Sequence, residues 1–407
     1  MNHDAIAVVD FGGQYAHLIA TKVRRQNVLA EIRQPEDSLD QFEKYKGIIL
    51  SGGPALLSEG DTAGYTEGLL DLDKPILGFC FGHQEIAMKY GGKIVQESQE
   101  WGHAELHIQN THPLFEGLDA IEQVWMSHFD SVVEVGEGFV ELGYTVLGGG
   151  KPHRFAAIAN DIKQRYGFQF HPEVDDTKNG DRMIANFVKN ICKCEASWTM
   201  DSYLEEQLDA IKSQVGDKSV FLLASGGVDS TVAAVLIARA IGPERLSLLH
   251  VDNGLMRKDE SARVIEAFKA MGIKNLHFVD ATADFLGDLK GKIEPEAKRH
   301  AIGHTFVEVF NREAKTLGLE DCLLGQGTIY PDTIETGGTK RSDTIKTHHN
   351  RVKIIEDLIA EGKVIEPLAE LYKVEVRELG EALGIPSDMI WRHPFPGPGL
   401  GVRLLCG

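Results

Sequence analysis

The chain has 407 residues, of which 43% are hydrophobic and 25% charged, a balance typical of a folded protein with two or three domains. Lys and Arg number 42 against 61 Asp and Glu, so the formal net charge is −19. Because an acidic surface repels phosphate backbones, we expect no nucleic-acid partner. A site that binds phosphate must therefore be local, built from backbone N–H groups and a few cations.

Cysteine content and hydropathy predict a protein of a reducing, aqueous compartment. The chain has five cysteines, an odd number that does not suit a disulfide framework. The N-terminus does not show the basic segment and apolar stretch of a signal peptide. The longest apolar stretch, 219–241, is interrupted by the polar segment 225–230, which excludes a membrane span. We expect a cytoplasmic protein with no membrane partner.

Short β-branched apolar runs alternate with amphipathic stretches, the pattern of α/β domains built on parallel sheets. In the first half, this pattern predicts a helix over 182–192 and strands over 6–10, 47–50, 75–79, 124–126, 156–159 and 166–170. In the second half, it predicts a helix over 200–214 and strands over 219–224, 246–251, 276–280 and 321–325. We therefore expect two doubly wound α/β domains with mainly parallel sheets, separated near residue 195.

The segment 393–401 differs in character from what precedes it. It is rich in proline and glycine, and these residues do not continue a helix or a central strand. We expect a linker over 393–407.

A glycine-flanked cysteine follows the predicted strand 75–79. The segment Gly78-Phe79-Cys80-Phe81-Gly82 has the G-x-C-x-G pattern of a nucleophile elbow. Glycine on both sides permits a sharp turn from strand to helix, and the N-terminus of a helix favours the thiolate. Cys80 is therefore a candidate nucleophile, and on this motif alone a structural cysteine in a turn remains an open alternative.

A histidine at the end of the predicted strand 166–170 is a candidate base for this cysteine. His171 is followed by Pro172 and Glu173. A thiol nucleophile needs a base that accepts and returns its proton, and the base needs an acceptor that holds its tautomer. Cys80, His171 and Glu173 therefore form a candidate catalytic set.

These motifs resemble those of the class I glutamine amidotransferases. The resemblance covers roughly residues 5–190 and includes Ser51-Gly52-Gly53-Pro54 after the strand 47–50. It implies attack of the thiol on the side-chain amide of glutamine, a glutamyl thioester and release of ammonia, with backbone N–H groups facing the oxyanion. The residues that the resemblance assigns are Cys80, His171 and Glu173 for catalysis, and Gly53, Phe81 and Gln84 for the oxyanion and for glutamine binding.

A glycine-rich loop follows the predicted strand 219–224. The segment Ser225-Gly226-Gly227-Val228-Asp229-Ser230 opens a helical stretch, so backbone N–H groups and the helix N-terminus can face an anion. The hydroxyl groups of Ser225, Ser230 and Thr231 add donors. The sequence contains neither a Walker A lysine nor a G-x-G-x-x-G fingerprint, which excludes those two kinds of nucleotide site.

The loop resembles that of the ATP pyrophosphatases. The resemblance implies that the loop holds the pyrophosphate of ATP while a substrate attacks the α-phosphate. Asp229 is then the candidate ligand for Mg²⁺, and the end of the strand 246–251 lies along the adenosine. The implied ATP-binding residues are Ser225, Gly226, Gly227, Val228, Asp229, Ser230, Thr231, Val251 and Asp252.

Further motifs lie at 101–105, 125–128, 250–258, 295–299, 325–332, 346–350, 366–368 and 393–399. Together they resemble the glutamine-hydrolysing GMP synthase family over essentially the whole chain. The resemblance implies that ATP, XMP and glutamine yield GMP, AMP, pyrophosphate and glutamate, with ammonia displacing AMP from adenylated XMP. The residues that it suggests for substrate binding or for a lid are Arg299, Asp332, Lys346, His348 and His349.

The same resemblance implies an arrangement of domains. It comprises a type 1 glutamine amidotransferase domain (1–195), an ATP pyrophosphatase domain (196–392) and the linker (393–407). The family continues past this linker into a small C-terminal domain that dimerises and completes the XMP site. We expect the chain to lack that domain, so the expected macromolecular partner is a second copy or a separate chain that supplies it.

Two other functions fit these motifs. The same machinery can amidate a different adenylated carbonyl, or the chain can be a regulatory homologue that binds nucleotide without turnover. AMP release with a panel of acceptors tests the first alternative. Formation of GMP from XMP, ATP and ammonia tests the second.

Overall fold

Strands and helices alternate through both halves of the chain, which confirms the α/β class. The structure, a computed structural model, describes residues 3–62, 64–96, 99–146, 152–319, 321–336 and 361–392. The chain divides into two compact units, Met1–Thr199 and Met200–Gly407. Within the described ranges, no helix combines the length and the apolar content that crossing a membrane requires.

The first unit contains a large mixed sheet. Its helices are α1 (Ala16–Arg24), α2 (Phe81–Lys89) and α3 (Gly180–Ala185), the last continued by a π-helical turn, Asn186–Ile191. Its strands are β1 (Ala5–Val9), β2 (Leu29–Arg33), β3 (Gly47–Leu50), β4 (Ile76–Phe79), β5 (Lys93–Val95), β6 (Glu100–Ile108), β7 (Ile121–His128), β8 (Ser131–Glu134), β9 (Val140–Val146), β10 (His153–Asn160) and β11 (Arg165–Phe168).

Nine of these strands form one sheet in the order β2-β1-β3-β4-β11-β10-β9-β6-β7. The half from β2 to β11 is parallel, and the half from β11 to β7 is antiparallel. Every residue of β1, β3, β4 and β11 is buried, as expected for parallel strands covered on both faces. Because parallel strands end at the same edge, residues that follow β4 and β11 come close together.

The second unit contains a five-stranded parallel sheet. Its strands are β12 (Val220–Leu223), β13 (Leu246–Asp252), β14 (Leu276–Asp280), β15 (Leu323–Gly325) and β16 (Val364–Ile365), in the order β14-β13-β12-β15-β16. Its helices are α4 (Met200–Val215), α5 (Val228–Ile241), α6 (Glu260–Ala270), α7 (Thr282–Leu289), α8 (Pro295–Thr316), α9 (Tyr330–Thr336), α10 (Lys373–Ala382) and α11 (Ser387–Ile390).

Aromatic packing fixes the elements that carry the predicted sites. In the first unit, Phe11 packs edge-on against Phe81, with ring centroids 5.4 Å apart, and both side chains belong to a buried apolar cluster. In the second unit, Phe221 of β12 stacks on Phe310 of α8, with centroids 4.6 Å apart. The residues beside Cys80 and the strand before the glycine-rich loop are therefore held in close-packed cores.

The predicted strands correspond to β1, β3, β4, β7, β10, β11, β12, β13, β14 and β15, with shifts of a few residues at their ends. The predicted helix 200–214 corresponds to α4, whereas the predicted helix 182–192 is divided between α3 and the π-helical turn. Lys346, His348, His349 and the predicted linker 393–407 lie outside the described residues. The functional assignment of the two predicted domains stays a prediction.

Candidate active sites

Cys80 occupies a strained turn between β4 and α2. Its backbone has φ 50° and ψ −103°, values that a residue with a side chain rarely adopts. The flanking glycines are sterically required, since a Cβ on Gly78 would lie 2.2 Å from the carbonyl carbon of Gly82. A Cβ on Gly82 would lie 2.6 Å from the Cβ of Leu50. The turn therefore has the geometry of a nucleophile elbow.

The candidate base lies at the same edge of the sheet as the thiol. β4 pairs with β11 in parallel, with Phe79 opposite Phe168, and His171 follows β11 as Cys80 follows β4. The Sγ of Cys80 is 3.6 Å from the carbonyl oxygen of Ser127. Cys80 is also close enough to His171 to raise the pKa of its imidazole ring. The structure thus brings the predicted nucleophile and base together.

His171 is also bound to the predicted carboxylate. The Nδ1 of His171 lies 2.8 Å from Oε1 of Glu173, and both side chains are buried. Burial lowers the pKa of His171, but the charge of Glu173 and hydrogen bonds with Cys80 and Glu173 outweigh it, so this pKa lies well above its ordinary value. A stabilised imidazolium is what a base needs when it takes the proton of a thiol.

The loop after β3 closes the other side of the thiol. A Cβ built on Gly52 would lie 3.4 Å from Cε1 of His171 and 4.0 Å from Cβ of Cys80. A Cβ on Gly53 would lie 3.1 Å from Cδ1 of Phe81. The structure therefore places Gly53 beside Phe81 and Gly52 beside the candidate base. The role of Gly53 and Phe81 at the oxyanion stays a prediction.

Gln84 lies on α2, one turn after Cys80. Its side chain is buried, and its Nε2 donates to the carbonyl oxygen of Asp130 at 2.7 Å and to Oε1 of Gln169 at 3.3 Å. The amide nitrogen therefore has two protein acceptors, and the role of Gln84 in glutamine binding stays a prediction.

Thr177 and Trp125 were not predicted, and they hold the base in place. The backbone N–H of His171 donates to the carbonyl oxygen of Trp125 at 3.0 Å. The hydroxyl group of Thr177 donates to the carbonyl oxygen of His171 at 2.6 Å and accepts from the N–H of Trp125 at 3.0 Å. The motif 125–128 is the sequence signal that could have indicated this support.

The glycine-rich loop of the second unit connects β12 to α5, as predicted. Gly226 has φ 75°, and a Cβ there would lie 2.4 Å from Cγ2 of Val264. The hydroxyl groups of Ser225 and Ser230 lie 3.1 Å apart, and the hydroxyl group of Thr231 donates to the carbonyl oxygen of Gly227 at 2.8 Å. The loop is thus an ordered turn at the N-terminus of a 14-residue helix, a suitable cradle for phosphate.

Lys373 is a functional candidate that the sequence did not indicate. Its Nζ lies 2.6 Å from both carboxylate oxygens of Asp229. Lys373 is the first residue of α10 and Asp229 stands in the first turn of α5. The pair places an ammonium group beside the loop, where a phosphate-binding site benefits from a cation.

Asp229 is also the residue that the sequence assigns to Mg²⁺. Although both of its oxygens contact Lys373, each carboxylate oxygen retains a further lone pair. Among the described residues, no group of three metal-type ligands includes Asp229. The residues therefore fit an ion held by one carboxylate together with phosphate oxygens and water, which is the usual manner for Mg²⁺ in nucleotide sites.

The predicted adenosine segment lies at the carboxyl end of β13. The carboxylate of Asp252 accepts from the N–H of Gly254 at 2.9 Å and from the hydroxyl group of Ser261 at 2.7 Å. The Nδ1 of His250 donates to the carbonyl oxygen of Ala224 at 2.7 Å, and burial lowers the pKa of this histidine. A neutral His250 thus connects β13 to the start of the glycine-rich loop. Val251, which lies between His250 and Asp252 in sequence, is buried.

The predicted substrate residues of the described region make local contacts. Nη1 of Arg299 lies 3.0 Å from Oε2 of Glu296 within α8. Oδ2 of Asp332 accepts from the backbone N–H of Ile329 at 3.2 Å, at the start of α9. Neither contact involves the glycine-rich loop. The roles of Arg299 and Asp332 in substrate binding therefore stay predictions.

The first unit matches a known family. The family model for Glutamine amidotransferase class-I aligns with residues 7–191, a range that contains the elbow at Cys80 and the His171–Glu173 pair. The match to this family therefore falls within the first unit.

Relatives align with nearly the whole chain. A protein of Leptospira interrogans named "Probable GMP synthase (glutamine-hydrolyzing)" is 47% identical over 413 residues, which cover 99% of this chain and 67% of the relative. Two proteins named "GMP synthase (glutamine-hydrolyzing)", from Clostridium tetani and Azoarcus sp., are each 46% identical and cover 100% of this chain and 78% of the relative. The chain belongs to the glutamine-hydrolysing GMP synthase family.

Proposed function

We propose that the chain makes GMP from XMP, with ammonia from a Cys80–His171–Glu173 glutaminase and energy from cleavage of ATP to AMP and pyrophosphate. As a member of its family, the chain is a glutamine-dependent carbon–nitrogen ligase. The observation that carries the proposal is the 2.8 Å contact between His171 and Glu173 at the sheet edge where the elbow presents Cys80.

This geometry supports the glutaminase half of the proposal. His171 takes the proton of Cys80, and the thiolate attacks the side-chain amide of glutamine to form a tetrahedral oxyanion. In this proposal, backbone N–H groups of Gly53 and Phe81 stabilise that oxyanion. The imidazolium returns its proton to the departing ammonia, and water then hydrolyses the glutamyl thioester to glutamate.

The synthase half is supported by the glycine-rich loop. The O2 of XMP attacks the α-phosphate of ATP, which forms adenylated XMP and releases pyrophosphate. Ammonia then attacks the activated carbon, and AMP leaves with the carbonyl oxygen. The loop 225–231, with Val251 and Asp252 beside it, is proposed to bind ATP, and Lys373 to neutralise charge on its phosphates. Mg²⁺, when bound beside Asp229, offsets further phosphate charge.

The cysteines support a proposal for the cellular location. The four described cysteines, Cys80, Cys192, Cys194 and Cys322, are free thiols, as expected in a reducing compartment. We place the reaction in the cytoplasm, and fractionation of cells that express the protein checks this.

The test uses both nitrogen donors and a panel of acceptors. The purified protein receives ATP and Mg²⁺ with glutamine or with ammonium chloride, and XMP, IMP or UMP as acceptor. Among the three acceptors, we expect only XMP to yield AMP and an aminated product, with either nitrogen donor. AMP release with another acceptor, or none with XMP and ammonia, would contradict the proposal. A nucleotide-binding homologue without turnover would give the second result.

A further inference from the structure

Four polar side chains are buried together at one end of the antiparallel half of the first sheet. Glu100 opens β6 directly opposite His128, the last residue of β7. Thr145 of β9 lies opposite His153, the first residue of β10. The side chains of Glu100 and His128 are 5% and 1% exposed, and Thr145 is fully buried. The mechanism above uses none of these four residues.

His128 connects this cluster to the turn that follows β7. Its Nδ1 lies 2.8 Å from the carbonyl oxygen of Asp130, and because a carbonyl oxygen only accepts, Nδ1 carries the hydrogen. Its Nε2 lies 3.3 Å from Oε2 of Glu100. The hydroxyl group of Thr145 donates to the same carboxylate, 3.1 Å from Oε2. The imidazole ring is therefore held at both edges.

The contact between His128 and Glu100 also requires a proton. Since Nδ1 already donates to Asp130, the Nε2–Oε2 contact is a hydrogen bond only if Nε2 or the carboxyl group carries a second hydrogen. A glutamine at position 100 would supply that hydrogen permanently through its amide.

Two further histidines face the pair. Nδ1 of His153 is 3.7 Å from Oε2 of Glu100, and the ring centroids of His153 and His128 are 5.6 Å apart. Burial lowers the pKa of His153, an effect that the charge of Glu100 opposes and that of His128 reinforces. Burial, with His128 and His153, also lowers the pKa of His83 on α2 to about 3. Both of these histidines are neutral near pH 7.

The turn 127–130 contacts the nucleophile and its helix. The carbonyl oxygen of Ser127 is 3.6 Å from Sγ of Cys80, and that of Asp130 accepts from Gln84 of α2 at 2.7 Å. The carboxylate of Asp130 accepts from the backbone N–H of Ser58 at 2.9 Å. A shift of this turn would therefore displace the acceptor that faces the thiol.

We propose that Glu100 and His128 are positioning residues for the glutaminase. Glu100 orients the His128 ring, and the ring holds the 127–130 turn, whose carbonyl groups fix the Cys80 thiol and Gln84. The inference rests on the proposed role of Cys80. The two side chains act through the turn, so their effect belongs to glutamine hydrolysis and not to the ammonia-dependent reaction.

The first experiment compares Glu100→Gln with Glu100→Met in the full chain. The two side chains have similar length, but only glutamine hydrogen-bonds to His128 Nε2 and to Thr145. We expect Glu100→Met to lower kcat/KM for glutamine hydrolysis about 10- to 100-fold, the usual effect of removing a buried supporting contact at a site. We expect Glu100→Gln to stay within about threefold of wild type, because it restores the hydrogen bond.

The second experiment compares His128→Asn with His128→Gln. The amide of asparagine occupies the place of Nδ1 and can still donate to Asp130, whereas that of glutamine occupies the place of Nε2 and reaches only Glu100. We expect His128→Asn to retain several times more glutaminase activity than His128→Gln. A purely structural role would instead rank the variants by thermal stability, so melting temperatures are measured alongside.

Ammonia-dependent GMP formation is the internal control for every variant. Activity of Glu100→Met equal to wild type, equal losses in Glu100→Gln and Glu100→Met, or the reverse order of the His128 variants would overturn the inference. If Glu100→Met does not fold, the order of activity of the two His128 variants tests the inference. Wild-type protein without glutaminase activity would refute the proposed function, whereas active wild type with the wrong order of variants refutes the positioning role alone.

Discussion

The ammonium group of Lys373 lies 2.6 Å from each carboxylate oxygen of Asp229, although 144 residues separate the two in sequence. The pair joins the first turn of α10 to the first turn of α5. The glycine-rich loop carries no lysine of its own, and α10 brings one to it. A cation beside the helix N-terminus adds to the attraction for phosphate that the backbone N–H groups already provide.

Replacement of this lysine tests its role in ATP use. We expect Lys373→Met to lower AMP formation about 100-fold with either nitrogen donor, a loss comparable to removal of one charge-stabilising donor. Glutamine hydrolysis by the first unit should not change. Lys363→Met is the control, because Lys363 is exposed and pairs with Glu361, two residues before it. Equal AMP formation by the two variants would show that Lys373 has no part in the reaction.

Glu173 raises the pKa of His171, so its removal should slow glutamine hydrolysis. We expect Glu173→Gln to lower kcat about 100-fold, because the imidazolium loses its carboxylate partner. The pKa of His171 falls in the variant, so a smaller fraction of the ring is protonated at neutral pH. The exposed control Glu105→Gln should retain wild-type activity. Glutamate release is assayed from pH 6 to 9 for both variants. Equal rates for the two variants would contradict this account.

Gly226 should tolerate no side chain. Both Gly226 (φ 75°) and Gly272 (φ 82°) are left-handed, but a Cβ on Gly226 would lie 2.4 Å from Val264, whereas one on Gly272 meets open space. We expect Gly272→Ala to lower the free energy of unfolding by about 1 kcal/mol, and Gly226→Ala by a further ~1–3 kcal/mol with weaker ATP binding. Urea unfolding measures the stability of each variant, and ATP titration measures its affinity for ATP. Equal effects of the two substitutions would be evidence against the close packing of the loop.

Buried His83 should make the fold sensitive to acid. Its pKa is about 3 in the folded protein against about 6.5 when unfolded. Between these values, the unfolded chain binds a proton that the folded chain does not, so the free energy of unfolding falls as the pH falls. The slope attributable to His83 is at most about 1.4 kcal/mol per pH unit.

The variant His83→Met isolates this contribution. We compare urea unfolding of wild type and variant at pH 7 and pH 5, so that the other titrating groups cancel in the difference. Wild type should lose about 2 kcal/mol more than His83→Met over this interval. The same loss in both proteins would mean that His83 is protonated in the fold.

Local motifs made the two sites predictable in part. Cys80 and His171 each follow a short apolar strand, and parallel strands end at one edge, so their approach could be anticipated from the sequence. The glycine-rich loop was likewise predictable, because its strand, loop and helix are contiguous in the sequence. The sequence did not predict the roles of Lys373, Thr177 and the Glu100–His128 pair, because each depends on contacts between elements far apart in the chain.

The fold was predictable where strands are buried on both faces. The missed strand β2 alternates half-buried and buried residues, and its sequence contains Glu31 and Arg33 among the apolar positions. β16 has only two residues, too few for any periodicity. The predicted helix 182–192 contains a π-helical turn whose extra residue shifts the periodicity of its apolar side chains.

The most direct test of the account is the nitrogen source that a Cys80→Ala variant can use. GMP formation from XMP and ATP is measured with glutamine and, separately, with ammonium chloride, for wild type, Cys80→Ala and the control Cys322→Ala. We expect Cys80→Ala to lose glutamine-dependent synthesis entirely and to keep ammonia-dependent synthesis within about twofold of wild type. Normal glutamine-dependent synthesis by Cys80→Ala would contradict the assignment of Cys80 as the nucleophile.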